Sequence, residues 1–143
     1  MSTLNFKTNV KTYDINGDKN RIISVNTTDY AILDRIKISL KNIEKLADEY
    51  KSKTVNNDDE ANELFVTADK KIREQINFIF GSDVSTTVFG NVNCFSPCDD
   101  GSVLFENFIN AIVPEIRKDI SEAQNKQSKH IEKYTSQAKR FTK

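Results

Sequence analysis

Apolar side chains recur along this chain with two periods, and the change of period marks the elements. Val10–Ile15 and Arg21–Val25 are short runs rich in β-branched and aromatic residues, which predicts two strands. Asn16-Gly17 lies between them. That dipeptide is the strongest short hairpin signal, because a type I′ turn needs positive φ at both central residues. Leu33, Ile36, Leu40, Ile43, Ala47 and Tyr50 then alternate at steps of three and four, with Leu46 widening the seam. This predicts a helix from near Asn26–Asp29 to about Lys51. Ala61, Phe65, Ala68, Ile72, Ile76 and Ile79 share one face of a second helix. It starts near Asn57–Glu60, where acids favour a helix N-terminus, and stops at Gly81. Each helix would be roughly 36 Å long at 1.5 Å per residue. The short link between them predicts an antiparallel helical hairpin.

Asp83–Phe89 predicts a short turn of helix closed by Gly90. Phe105, Phe108, Ile109, Ile112, Ile116, Ile120 and Ala123 form the stripe of a third long helix, from Ser102 as N-cap to at least Gln124. Pro114 falls inside it and predicts a kink, since proline lacks the N–H and crowds the preceding turn. Beyond Ala123 the stripe fades, and Ile131, Tyr134, Ala138 and Phe141 interrupt a polar tail. The expected fold class is mainly α: an N-terminal β-hairpin, antiparallel long helices and a kinked C-terminal helix with a basic extension. Residues 1–123 form one mainly helical domain, with the hairpin at about 10–25, and residues 124–143 a partly flexible basic extension.

Composition sharpens this picture in three places. Four glycines and two prolines in 143 residues favour helix, and each glycine falls at an element boundary. The 21 basic and 21 acidic side chains cancel overall, but not locally. Gln124–Lys143 holds six basic residues and one acid, a balance of +5; the preceding 123 residues hold 15 and 20, a balance of −5. No apolar run approaches the roughly 18 residues of a membrane span, and MSTLNFKTNV lacks a secretory pattern. Two cysteines do not make a disulfide scaffold, which fits a reducing cytosol.

Candidate chemistry is sparse. Cys94 and Cys98 form C-x3-C, but a structural zinc needs four ligands, and the single histidine, His130, stands in the polar tail. Asp99 and Asp100 are hard oxygen donors, poorly matched to thiolates. The pair therefore reads as ordinary loop or core cysteines, with no metal site. Asp14-x-Asn16-Gly17-Asp18 has its glycine too early for a calcium loop, and Asp58–Glu60 reads as a helix start. His130 has no evident orienting partner and no glycine-rich phosphate loop exists. No catalytic residue, enzyme activity or cofactor is expected. The basic tail, with Tyr134 and Phe141 able to stack on bases, leaves nucleic-acid binding as a minor alternative to a solvated or partner-ordered extension.

The order of features resembles a known family. Ile79-Phe-Gly-Ser-Asp83 and Val88-Phe-Gly-Asn91 are followed by a loop with Cys94. Then come Phe108-Ile-Asn-Ala-Ile-Val-Pro114, Ile131-Glu-Lys-Tyr-Thr-Ser136 and Ala138-Lys-Arg140. Over nearly its whole length the chain resembles the small tail assembly chaperones of tailed phages and prophages of low-GC Gram-positive bacteria. The resemblance implies a non-enzymatic morphogenesis factor. Such proteins coat the tape measure protein, keep it soluble while tail tube protein polymerises around it, and are absent from the mature virion. The family often makes a longer product by ribosomal frameshifting near the end of the first reading frame. Implied partners are the tape measure protein, the tail tube protein and further copies of the chain, in the bacterial host cytoplasm, with no membrane. The expected partner-binding residues are Phe105, Phe108, Ile109 and Ile112 on the third helix, and Tyr134, Lys139 and Arg140 in the tail. The alternatives are a structural tail adaptor or completion protein of the virion, and a nucleic-acid-binding regulator.

Overall fold

A computed structural model describes the backbone of residues 1–141; the side chains of Tyr134 and of residues 136–143 lie outside the described residues. The order is β1 (Lys11–Ile15), β2 (Asp18–Val25), α1 (Ala31–Ser52), α2 (Asp58–Phe80), α3 (Val84–Phe89) and α4 (Leu104–Phe141). The fold is mainly α behind an N-terminal antiparallel hairpin. Asn16 and Gly17 both take positive φ, 53° and 80°, as the Asn-Gly turn requires. Tyr13 pairs with Ile23, and a bulge follows Asp14.

α1 and α2 run antiparallel: Ser39 Oγ donates to the Gln75 carbonyl at 3.2 Å, and Arg35 Nε to that of Ile79 at 2.8 Å. Ile32, Ile36 and Ser39 are the buried residues of α1. The stripe therefore begins at Ile32, and Leu33 is 37% exposed, one position off the expected seam. Ser39, whose small bonded side chain also lies in the inward row, is invisible to a count of apolar residues. On α2 the inward row is Ala68, Ile72, Ile76 and Ile79, but Phe65 is 53% exposed and Leu64 is half-buried in its place.

Caps account for the helix ends. Asn57 accepts from the Glu60 N–H, while the Glu60 carboxylate accepts from Asn56 N. Gly81, at φ 69°, closes α2 by donating to the Asn77 carbonyl. Asp83 opens α3 through Thr86. Three arginines satisfy carbonyls left over at helix ends and in the loop that follows α3. Arg35 takes Ile79, Arg21 takes Thr87 and Val88, and Arg73 takes Gly90 and Val92.

α4 begins at Leu104, two residues after the expected Ser102. Val103 is held in a bridge with Pro97, and the Ser102 hydroxyl is engaged by Asp100. The first N–H groups of α4 find loop carbonyls instead: Leu104 donates to Ser96 and Phe105 to Cys94. The helix runs through Pro114 and on to Phe141, far past the end of its apolar stripe. Ile112, Val113, Ile116 and Ile120 join Ile23, Val25, Ile32, Ile36, Ile72, Ile76, Ile79 and Phe89 in one core. Gln124–Lys133 is wholly exposed.

Candidate protein-binding surfaces

The hairpin and α4 meet at a buried polar knot. Asp119 is 7% exposed; it accepts from Thr27 Oγ1 at 2.6 Å and faces Lys11 Nζ at 2.6 Å. The Lys11 ammonium and the Thr27 hydroxyl hold the Asp119 carboxyl below the usual aspartate range. The Asp119 carboxylate in turn raises Lys11. Two elements distant in sequence are thereby fixed side by side.

One helical turn before Asp119 a cleft opens. It has a volume of about 250 Å³ and is lined by Tyr13–Asn16, Ile23, Val88, Phe89, Leu104, Asn107, Phe108, Ala111, Ile112 and Glu115. Its lining is largely apolar, with Asp14 and Glu115 as its two charges. Burial pushes the Tyr13 phenol up, against the nearby Lys11 charge, and its Oη has no partner among the described residues.

The expected partner-binding residues divide between core, cleft and tail. Phe105 is buried in the core, edge-on to Phe95 at 5.0 Å between ring centroids. Ile109 is half-buried against the same core. Phe108 and Ile112 line the cleft, and Phe108 is wedged between Phe80 and Phe89 at 6.0 and 5.9 Å. Tyr134, Lys139 and Arg140 have helical backbone, but their side chains lie outside the described residues.

The exposed half of α4 is a second surface. From Gln124 to Lys133 it shows Lys126, Lys129, Lys133 and Ile131 to solvent. Tyr30 Oη ties it to the body by donating to Gln127 Oε1 at 2.5 Å. Phe65, Val66 and Phe78 are exposed on α2. Sequence periodicity missed all three, since it assigned Phe65 to the core face and left the other two unplaced.

The cysteines are structural in their surroundings. Cys94 is fully buried and its thiol is pushed up to about 12, chiefly by burial, so it stays a neutral thiol at neutral pH. Its N–H donates to Asp69 Oδ1 at 2.8 Å. Burial alone would raise Asp69; the Cys94 N–H and the Arg73 guanidinium outweigh it and lower the carboxyl. Cys98 accepts from Asn107 Nδ2 at 3.2 Å. Among the described residues no group of three or more His, Cys, Asp or Glu gathers to hold a metal ion, and no helix is long and apolar enough to cross a membrane. Comparisons with protein families, with curated proteins and with solved structures find no match.

Proposed function

We propose that the protein is a non-enzymatic tail assembly chaperone, which binds the tape measure protein of a tailed phage and assists tail tube assembly in the bacterial host cytoplasm. The observation that carries this reading is the outer half of α4. Past Ile120, its last buried residue among the described residues, the helix continues for roughly 30 Å at 1.5 Å per residue, with Lys126, Lys129, Lys133 and Ile131 exposed. An exposed helix of this kind suits a long helical client that offers amphipathic stripes. Many copies, each bound weakly, can then coat one extended chain by multivalency. The ordered set of motifs from Ile79 to Arg140 supports the same reading.

The test is affinity capture of the tagged full chain from phage-infected cells, beside a version ending at Ala123. The full chain is expected to recover a very long helical tail protein, and the shortened one to lose it. Mass spectrometry of purified virions is expected to find no copies of the chain. Copies in the virion would favour a tail adaptor or completion protein. Sequence-tolerant binding to DNA or RNA in a gel shift at physiological salt, with no tail protein captured, would favour a nucleic-acid-binding regulator.

A further inference from the structure

Residues 1–10 precede β1 outside any helix or strand, and every one is exposed. Their sequence is nonetheless built like a strand. Leu4, Phe6 and Val10 fall on one side of a two-residue alternation, and Asn5, Lys7 and Asn9 on the other. Leu4 and Phe6 are 88% and 79% exposed, two large apolar side chains side by side in water. This arm resembles half of an interface.

The cleft beside β1 is its complement in shape and charge. Its wall of Phe108, Ile112, Phe89 and Ile23 is apolar. Asp14 and Glu115 at the cleft are both acidic, and no basic side chain lines it. The arm carries Lys7 and no acid, and Lys7 makes no ion pair among the described residues. β1 pairs only with β2, so its other edge is open among the described residues. An extended segment laid along β1 can pair with such an edge while its alternate side chains drop into the cleft.

The arm is poorly placed to fill the cleft of its own chain. The cleft takes in Tyr13–Asn16, the turn end of β1, whereas the arm leaves β1 at Lys11. Asn9 Nδ2 donates to Thr28 Oγ1 at 3.1 Å, which ties the arm's base toward the start of α1. For Leu4 and Phe6 to return to that cleft, the chain would have to reverse between Phe6 and Lys11, a stretch with neither glycine nor proline.

We propose that the cleft between β1 and α4 receives the arm of a second copy of this chain, with Leu4 and Phe6 against Phe108 and Ile112, and Lys7 beside Asp14 and Glu115. Each copy then gives an arm and offers a cleft, so two copies can exchange arms as a closed pair, or successive copies can build a ring or an open row. The inference does not rest on the chaperone reading, because it is tested on purified protein with no client.

Sedimentation velocity of the full chain over a wide concentration range is the experiment. The natural protein is expected to gain mass with concentration. Phe6→Asp removes the arm's main anchor, and Ala111→Arg blocks the cleft from an exposed position on α4. Each is expected to weaken association by about 10- to 100-fold, the equivalent of one buried aromatic side chain. Far-UV circular dichroism should be unchanged in both. Mixing the two variants restores one sound arm and one sound cleft, so a 1:1 pair is expected that grows no further. A natural protein that stays monomeric, a Phe6→Asp variant that associates normally, or a mixture that forms no pair would each overturn the proposal.

Discussion

Along α4, the half before Ala123 places Phe105, Ile112, Val113, Ile116 and Ile120 in the core, whereas Gln124–Lys133 places nothing there. The backbone conformation is the same. The first half is helical because burial rewards it, even though Pro114 removes one backbone bond. The second half is helical on local preference: it has no glycine or proline between Gln124 and Phe141 and is rich in lysine and glutamine. One half is therefore committed to the fold, and the other, from Gln124 to Lys133, stands exposed. The charge division of −5 and +5 falls at the same place.

The largest expected effect breaks the buried half. Ile116 is fully buried, so Ile116→Ala should cost about 2–5 kcal/mol in urea unfolding. Ile131→Ala, one helix but another environment, should stay within about 0.5 kcal/mol. Equal losses at both sites would end the distinction between the halves.

Asp119→Asn comes next. It removes the ion pair with Lys11 beside a buried hydroxyl and should cost about 1–2 kcal/mol at neutral pH. The folded carboxyl lies below its ordinary value. Its contribution is therefore complete above the unfolded value of about 4, and is lost as the pH falls through the folded value. The gap between natural protein and variant should narrow in that acid range. Asp69 and Asp83 are lowered too and keep some acid sensitivity in both. A gap that is constant from neutral pH into the acid range would refute this role for Asp119.

The smallest global effect should come from Lys129→Pro. Far-UV circular dichroism should lose helix, because proline breaks the exposed segment. The unfolding midpoint of the body should move by less than the equivalent of about 0.5 kcal/mol. A large midpoint shift would show that the outer half carries stability after all.

Much of this was legible in the residues. Asn16-Gly17 announced its turn, Gly81 its helix end, and the isoleucines of α2 and α4 their inward rows. The failures have physical causes. On α1 the seam from Ile36 through Leu40, Ile43 and Leu46 holds, but its first position is Ile32 rather than Leu33, and Ser39 joins the inward row with its hydroxyl bonded to the Gln75 carbonyl. The outer half of α4 has no continuous stripe, and periodicity cannot see a helix that, among the described residues, buries nothing. The cleft joins β1 to a helix some ninety residues later in the chain, as does Thr27 to Asp119 at a separation of 92. No local pattern encodes such a meeting. The arm at Leu4–Val10 does carry a local period, but it has no turn or partner strand beside it to give that period meaning.

The knot at Asp119 also sets a timetable. At ribosomal rates of about 5–20 residues per second, the 92 residues between Thr27 and Asp119 take about 5–20 s to synthesise. Hairpin, α1 and α2 can form early, since their contacts are near in sequence. Throughout that interval Lys11 lacks its counter-charge and the Thr27 hydroxyl its acceptor, and the Ile23 side of the hairpin, once α3 is made, is covered by Val88 and Phe89 but not yet by α4. The nascent chain therefore waits, with its future cleft open, for α4 to be made.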